Sequence, residues 1–208
     1  LWQKPSRGKI MAYILGITGG MSSGKTTASK CLQGEKTYVI DVDELARPLH
    51  QPGCEVYNQI VEKFGKSVCN LDGSINNKRL ARVAFATITR TKMLNEIFKE
   101  PLTNAIKLEI MQGRAQRASL IIIVAAILFE QEWDKLCHGV LNISAPESLR
   151  LERAMRRGMT ERDAQRRMAA QLTEKDRMAL AQWTVYTQPT KEELCKKIKK
   201  LAEENKWL

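Results

Sequence analysis

A phosphate-binding motif lies near the start of the sequence, at residues 19–26. These residues read GGMSSGKT and match the pattern G-x-x-x-x-G-K-S/T. The glycines let backbone N–H groups turn inward around an anion. Lys25 can reach the β and γ phosphates of a nucleotide, and the Thr26 hydroxyl can hold Mg²⁺. The motif therefore predicts a site for ATP with Mg²⁺, but it does not identify the group that accepts the phosphate.

Two aspartates, Asp41 and Asp43, follow the next β-prone stretch, residues 37–40. Because ligands of open α/β sheets bind beyond the carboxyl ends of the strands, both side chains should face the phosphates. A carboxylate there can deprotonate an acceptor hydroxyl or position water ligands of the metal. We predict that Asp43 is the carboxylate that deprotonates the acceptor hydroxyl. Either aspartate could also, or instead, cap the helix that follows.

An arginine-rich segment occupies residues 150–177, with nine basic residues against five acidic ones. Such a run is often a solvated helix face. The alternative is a mobile lid that closes over ATP and excludes water. In that case Arg153 or Arg157, four residues apart on one helix face, would meet the charge on the transferring phosphoryl group.

The elements that must position these residues alternate between strand and helix. The pattern predicts a P-loop NTPase fold of the α/β class, a three-layer sandwich with a parallel sheet, together with a helical insertion between the strands and a helical lid. The predicted helices between residues 54 and 113 are interrupted at residues 70–73 and by Pro101. The predicted strands are residues 12–18, 37–40, 120–129, 139–144 and 183–186. The other predicted helices are residues 26–32, 44–49 and 190–205, with further basic helices after Pro146.

Length and composition favour one soluble domain. The chain has 208 residues, 43% hydrophobic and 27% charged, with a net charge of +11. That charge favours polyanionic partners. No duplex-binding or RNA-binding signature accompanies it, so we expect no nucleic acid partner. The longest apolar run, residues 120–129, is too short to cross a bilayer, and no export signal is visible, so we expect a cytoplasmic protein without membrane contact.

The five cysteines are widely spaced and form no C-x-x-C pair. We therefore expect neither a disulfide framework nor a zinc site, and we interpret Cys31 as a packing residue. His50 and His138 are too few and too far apart to predict a metal site or a nucleophile. The first ten residues lack apolar periodicity and precede a plausible initiator, Met11, so we expect an extension or residues left from expression.

The sequence resembles the dephospho-CoA kinase family along nearly its whole length from Met11. The blocks that carry the resemblance occur in the family's order, and the first two are the most specific. They read ILGITGGMSSGKTT, IDVDELAR, QPGCEVYNQIVEKFG, LDGSINNKRLARVAF, LNEIFKEPL, AILFE and RAMRRGMTERDAQRRMAAQ. The resemblance implies transfer of the γ-phosphoryl group of ATP to the ribose 3′-hydroxyl of dephospho-CoA.

The resemblance also implies roles for individual residues. Asp43 would be the base that meets the hydroxyl, and Arg47, which ends the D-x-D-x-x-A-R block, would bind the nucleotide end of dephospho-CoA. Glu130 matches the acid of a family block, with its role open. The ATP phosphates would be lined by Gly20, Ser22, Ser23, Gly24, Lys25, Thr26 and Thr27.

The domain organisation follows from the same comparison. Residues 1–10 would lie outside a single kinase-like domain, residues 11–208, which acts as a monomer or a small homo-oligomer. Its core would comprise residues 11–50, 114–146 and 178–208, with a CoA-binding lobe at residues 51–113 and a lid at residues 147–177.

Several positions depart from the family pattern. Ser22 replaces a glycine of the phosphate loop, Glu100 replaces a histidine before proline, and Ala126 replaces a proline. The lid turn is one residue shorter, and a late family block is reduced to residues 181–188. Two alternatives therefore stay open. One is another P-loop small-molecule kinase of the nucleoside monophosphate type, and the other is a catalytically weakened protein that binds nucleotide or RNA.

Overall fold

The computed structural model describes residues 12–187 and 190–207, and within them five parallel strands form one sheet in the order β2-β3-β1-β4-β5. The predicted α/β class with a parallel sheet is confirmed. Residues 1–10, Met11 and Gln188, on which some sequence interpretations fall, lie outside the described residues. The strands are β1 Tyr13–Thr18, β2 Thr37–Asp41, β3 Leu120–Val124, β4 Gly139–Ser144 and β5 Trp183–Tyr186.

Helices cover both faces of the sheet and extend beyond it. In the described part of the chain, two short 3₁₀ turns, Lys66–Val68 and Trp133–Leu136, accompany them. None of the helices in these residues is long and apolar enough to cross a bilayer. The helices are α1 Lys25–Cys31, α2 Val42–Leu49, α3 Glu55–Phe64, α4 Asn77–Ala84, α5 Ile88–Ala115, α6 Glu147–Arg156, α7 Glu161–Ala169, α8 Glu174–Leu180 and α9 Lys191–Glu204.

Strand β3 is shorter than its apolar run predicts. It ends at Val124, which pairs with Ile17 of β1, and the strand prediction for residues 125–129 is wrong. The N–H of Ala125 still donates to the Ile17 carbonyl oxygen at 3.1 Å, and the chain then turns away. Leu128 is fully buried against one face of the sheet. The apolar residues after Val124 therefore fill the core rather than extend the sheet.

Two apolar layers hold the helices against the sheet. On one face, α1 and α9 pack on side chains of β1, β3 and β4, including Leu15, Ile122 and Leu141. On the opposite face, the second half of α5 places Ile106 and Ile110 against the sheet. Because both faces are covered, the central strands are almost wholly apolar, as parallel strands require. The phosphate loop is thereby anchored between two buried layers.

Helix α5 passes through Pro101 without a break, so the predicted interruption there is wrong. Ile97 before the proline packs in a separate apolar cluster with α3 and α4, whereas Leu102 after it packs under the sheet. Packing on both sides offsets the hydrogen bond that proline removes. The helical stretch is interrupted instead before Ile88, where Thr87 caps α5 by accepting from the Arg90 N–H at 3.2 Å.

Cys31 and Cys195 form a disulfide that joins α1 to α9. The expectation of no disulfide is therefore wrong for this pair. The two residues are 164 positions apart in the chain, so sequence spacing gave no signal for the pairing. The packing of α9 on α1 brings them together. Cys54, Cys69 and Cys137 are free.

Candidate active site

The phosphate loop leaves β1 after Thr18 and enters α1 at Lys25. Gly19 and Gly24 have φ angles of 149° and 112°, which favour glycine. A Cβ on Gly19 would also lie 2.3 Å from the carbonyl oxygen of Ile143, so this position has no room for a side chain. Ser22 takes the left-handed region with φ 61°, the position at which the resemblance implied a glycine. The departure at Ser22 therefore leaves the loop turn intact at a conformational cost.

The ammonium group of Lys25 points back over the loop. Its Nζ donates to the carbonyl oxygens of Gly19 at 3.1 Å and Gly20 at 3.2 Å. Burial lowers the pKa of Lys25, Asp43 opposes the shift and Arg177 adds to it, so that the pKa is about 8. The lowered pKa indicates that too little negative charge surrounds the Lys25 ammonium group. A bound polyphosphate would supply that charge.

Asp41 and Asp43 stand at the carboxyl end of β2 with different tasks. Asp41 caps α2, because its side chain accepts from the Asp43 N–H at 3.0 Å. The carboxyl group of Asp43 is exposed in a cleft, and partial desolvation by the cleft walls, followed by repulsion from Asp41, raises its pKa, while Lys25 opposes the rise. Lys25 and Asp43 each perturb the other's pKa. The two groups are therefore within electrostatic reach of each other.

Adjoining cavities open beside Asp43. One of about 140 Å³ lies between Asp43 and apolar residues of α5 such as Phe98. The next, about 200 Å³, joins Asp43 to Met21 of the loop and to Arg167 of α7. A third, about 450 Å³, extends along α5, and Asn95 lines all three. Together they form an acceptor cleft, our name for the space between α2, α5 and the end of α7.

A cavity separate from the acceptor cleft lies beside the phosphate loop. Its volume is about 220 Å³, and loop residues, α6 and the start of α9 surround it. We call it the outer cavity. Its lining comprises Ser22, Gly24, Thr27, Arg153, Arg157, Thr187, Thr190, Lys191 and Leu194.

The arginine-rich helices contact the loop at several points. Arg153 donates to the carbonyl oxygens of Ser22 and Ser23, at 3.4 Å each. Arg157, just past the end of α6, is exposed at the outer cavity. Gln171, between α7 and α8, accepts from the N–H of Met21 at 2.9 Å. The segment therefore packs onto the phosphate loop, and its charge is not confined to a solvated face.

The structure places the other predicted residues as follows. Thr26 is exposed at the start of α1, whereas Ser23 is buried with an unpaired hydroxyl. Arg47 is exposed on α2 and forms an ion pair with Glu44 at 2.9 Å, apart from the cavities described above. One carboxylate oxygen of Glu130 accepts from the Leu172 N–H at 2.9 Å.

The two histidines make local contacts. The Nδ1 of His50 lies 2.8 Å from the Ala46 carbonyl oxygen, and its ring packs edge-on against Phe98. The Nδ1 of His138 accepts from the Ile14 N–H at 2.8 Å. Both side chains are thus engaged in local packing.

Sequence reasoning missed several residues that converge on the site. Arg150 and Arg177 are buried beside Gly20. Arg167 is partly buried, lines the acceptor cleft and lies over the Phe85 ring, with its Cζ 4.9 Å from the ring centroid. All belong to the arginine-rich segment, but residue type alone does not separate a buried arginine from a solvated one.

The donor set fits a magnesium ion that is held mainly by nucleotide oxygens. Among residues 12–187 and 190–207, no group of three or more His, Cys, Asp or Glu side chains is arranged to hold a metal. Thr26 and the aspartates after β2 offer only oxygen donors, which Mg²⁺ prefers. Mg²⁺ commonly binds through one or two protein oxygens together with phosphates and water, so this sparse set is sufficient.

Comparisons with known proteins agree with the resemblance. A family model described as dephospho-CoA kinase matches residues 13–192. A dephospho-CoA kinase of Lactobacillus johnsonii is 33% identical over 195 residues, which cover 93% of this chain and 98% of that protein. The solved structure of TT1252 from Thermus thermophilus matches with a TM-score of 0.74 and 26% identity, covering 93% of this chain and 97% of the other.

A further solved structure supports the fold. A dephospho-CoA kinase from Campylobacter jejuni superposes with a TM-score of 0.63 at 19% identity, covering 92% of this chain and 96% of the other. At that identity the likeness concerns architecture, which is that of a P-loop kinase. The predicted fold class is thereby confirmed.

Proposed function

Because the chain belongs to the dephospho-CoA kinase family, we propose that it transfers the γ-phosphoryl group of ATP to the ribose 3′-hydroxyl of dephospho-CoA, giving coenzyme A and ADP. It is a P-loop kinase, a phosphotransferase of coenzyme A biosynthesis. One observation carries the assignment of roles. Lys25 and Asp43 lie within electrostatic reach of each other at the carboxyl edge of the sheet, with the acceptor cleft opening beside Asp43.

Asp43 acts as the base for the acceptor hydroxyl. Desolvation in the cleft raises its pKa, which makes the carboxylate a better proton acceptor than a solvated aspartate. The charge of Lys25 favours the ionised carboxylate. The proton of the 3′-hydroxyl passes to Asp43 as the oxygen bonds to the γ phosphorus, and ADP leaves.

Lys25 and the loop residues Gly20, Ser22, Ser23, Gly24, Thr26 and Thr27 bind the phosphates of ATP. Thr26 would hold Mg²⁺, which neutralises charge on the β and γ phosphates when it is bound. The outer cavity beside Gly24 and Thr27 receives the rest of the nucleotide. ATP and dephospho-CoA are both cytoplasmic metabolites, so we propose a cytoplasmic location.

The acceptor occupies the cleft along α5. The cleft offers apolar walls at Phe98 and polar groups at Asn95 and Arg167. This mixture suits a ligand with a nucleotide end and a long flexible arm. Arg47 would bind the nucleotide end only if it left its ion pair with Glu44.

The domain division is also part of the proposal. Residues 51–113 form the lobe that holds the acceptor, and residues 147–177 form the lid. The separate apolar cluster of α3, α4 and the first half of α5 supports the lobe. The contacts of Arg153 and Gln171 with the phosphate loop support a lid that follows the state of the nucleotide. Arg153 and Arg157 would then hold the nucleotide from the outer cavity.

An acceptor screen at fixed ATP and Mg²⁺ tests the function. Dephospho-CoA should be phosphorylated far faster than any nucleoside monophosphate. Preference for a nucleoside monophosphate would establish the alternative kinase. Absence of transfer to every acceptor, with ATP still bound, would establish a weakened nucleotide-binding protein.

Substitution of Asp43 tests the mechanism. Asp43→Asn removes the base and should lower kcat by about 10²–10⁴-fold, while ATP still binds. Asp41→Asn is the matched control, because asparagine also caps helices well, so its effect should be much smaller. Equal turnover in Asp43→Asn and wild type would return Asp43 to a structural role.

A further inference from the structure

Two buried arginines face the phosphate loop from the lid segment. Arg150 of α6 is 6% exposed and Arg177 of α8 is 2% exposed. Burying a guanidinium is costly unless it is paired, and burying two side by side adds repulsion. Burial, followed by the charge of Arg177, lowers the pKa of Arg150, while Glu174 and Glu147 only partly oppose the shift. Such an arrangement persists when something else offsets its cost.

The protein itself satisfies Arg177 better than Arg150. Arg177 donates to the Leu172 carbonyl oxygen at 2.5 Å and forms an ion pair with Glu174 at 3.2 Å. Arg150 uses only its Nε, which donates to the Ala145 carbonyl oxygen at 3.2 Å. Among the described residues, its two terminal nitrogens make no hydrogen bond and no ion pair. These two nitrogens, the fork of the Arg150 guanidinium, are therefore available to a ligand.

The position of that fork is fixed by Gly20, the second residue of the phosphate loop. A Cβ on Gly20 would lie 2.3 Å from Nη1 of Arg150 and 3.2 Å from Nη2 of Arg177. Lys25 donates to the carbonyl oxygen of the same Gly20. The three cations thus converge at one end of the loop, the end where Lys25 would meet the terminal phosphate.

Arg153 and Arg157 occupy a different place. Both line the outer cavity with Gly24 and Thr27, and Arg153 contacts the outside of the loop at Ser22 and Ser23. The segment therefore presents two pairs of arginines, one on each side of the loop. Only the inner pair, Arg150 and Arg177, lies beside Lys25 and Gly20.

We propose that Arg150 is a further catalytic residue, which contacts the γ-phosphoryl group of ATP and stabilises its charge during transfer. Arg177, held by Glu174, directs the Arg150 fork toward the ligand by repulsion and by shape. This inference rests on the proposed function for the identity of the nucleotide. It adds a residue whose contact is specific to the third phosphate.

Comparing ATP with ADP tests the contact. In Arg150→Gln we expect the affinity for the non-hydrolysable ATP analogue AMPPNP, with Mg²⁺, to fall at least tenfold, while the affinity for ADP changes less than about threefold. The kcat should fall by about 10²–10³-fold, as for other donors that stabilise charge in the transition state. Calorimetric titration and steady-state rates supply the two readouts. Retained ADP binding shows in the same experiment that the variant is folded.

Two further variants sharpen the test. Arg150→Lys keeps the charge without the fork, so its rate should lie between those of wild type and Arg150→Gln. Arg153→Gln, from the outer pair, should weaken AMPPNP and ADP alike. Equal losses for both nucleotides in Arg150→Gln, or an unchanged kcat, would overturn the inference. Failure of wild-type protein to bind any adenine nucleotide would instead defeat the proposed function, and the inference with it.

Discussion

The lowered pKa of Lys25 is not what a purely structural lysine would show. Its ammonium group donates to two loop carbonyl oxygens, yet burial lowers its pKa to about 8. A lysine kept only for stability would gain from a full counter-charge. A lowered pKa is expected for a phosphate-binding lysine when no phosphate is bound.

The pH dependence of nucleotide binding follows from this shift. Below about pH 8 Lys25 is charged and attracts ATP, and above it the free protein loses that charge. The dissociation constant for ATP should therefore rise with pH above about 8, with proton uptake on binding, measured by calorimetry in buffers of different ionisation enthalpy. Lys25→Arg, always charged, should show no such rise. An equal rise in both proteins would assign the titration to another group.

Asp43 should set the acid limb of the rate profile. Its raised pKa means that it is protonated, and inactive as a base, at a higher pH than an ordinary aspartate. The value of kcat/KM should therefore fall on acidification at a pH above the range of an ordinary aspartate, and the residual activity of Asp43→Asn should lack that limb. A limb that persists unchanged in the variant would contradict the role of Asp43.

Ser22 provides a prediction about stability. Its φ of 61° costs a serine about 1 kcal/mol or more relative to glycine. Ser22→Gly should raise the free energy of unfolding in urea by about 0.5–1 kcal/mol, because the strain exceeds the added entropy of the unfolded chain. Ser23→Gly, at a buried position without positive φ, should lower it. A loss of stability in both variants would show that the turn carries no strain.

At this scale the sequence predicted the residues that a motif defines. Lys25 and Asp43 lie within electrostatic reach of each other, because both follow the carboxyl ends of parallel strands at one edge of the sheet. Arg150 and Arg177 were missed, because the burial of an arginine depends on which helix face meets the loop. Gln171 was missed for the same reason, since a glutamine in a basic segment has no distinguishing pattern.

At the scale of elements, the sequence predicts which segments form strands and helices better than it predicts where those elements end. The strands at residues 139–144 and 183–186 match β4 and β5. The end of β3 was misplaced because apolar residues serve a strand and a core loop equally well. Local propensity predicts a helix break at Pro101, but the packing of α5 in two apolar clusters keeps the helix continuous.

The disulfide between α1 and α9 gives a prediction for elements that pack together. Closing so long a loop should contribute about 2–4 kcal/mol, which a dithiol reductant would remove. Cys195→Ser should melt at the temperature of reduced wild type, with or without reductant. Cys54→Ser, at a free cysteine, should keep the difference between the two conditions. Identical wild-type melting in both conditions would show that the pair contributes nothing.

The redox setting gives this bond a second consequence. The cytosol keeps most thiols reduced, so a cytoplasmic protein would spend much of its time without the bond. The α1 and α9 interface also contains buried Leu194 and Ile198. We expect this packing to preserve the fold after reduction.

At the scale of the whole molecule, the charge of +11 is not a signature of the site. Part of it lies on exposed positions of α9, namely Lys196, Lys197, Lys199 and Lys200. Only a few cations converge on the phosphate loop, and their burial and direction matter more than their number. The net charge favours polyanionic partners in general, but it does not locate the cations at the phosphate loop.

The central claim is that one cleft joins ATP at the phosphate loop to an alcohol at Asp43. The most direct test is ADP release by purified protein with ATP and Mg²⁺, followed with and without dephospho-CoA, with the phosphorylated position identified by ³¹P NMR. We predict that ADP release depends on dephospho-CoA and that one phosphate per ADP appears on the ribose 3′-oxygen. Release that is indifferent to dephospho-CoA, or a phosphate at another position, would contradict the account.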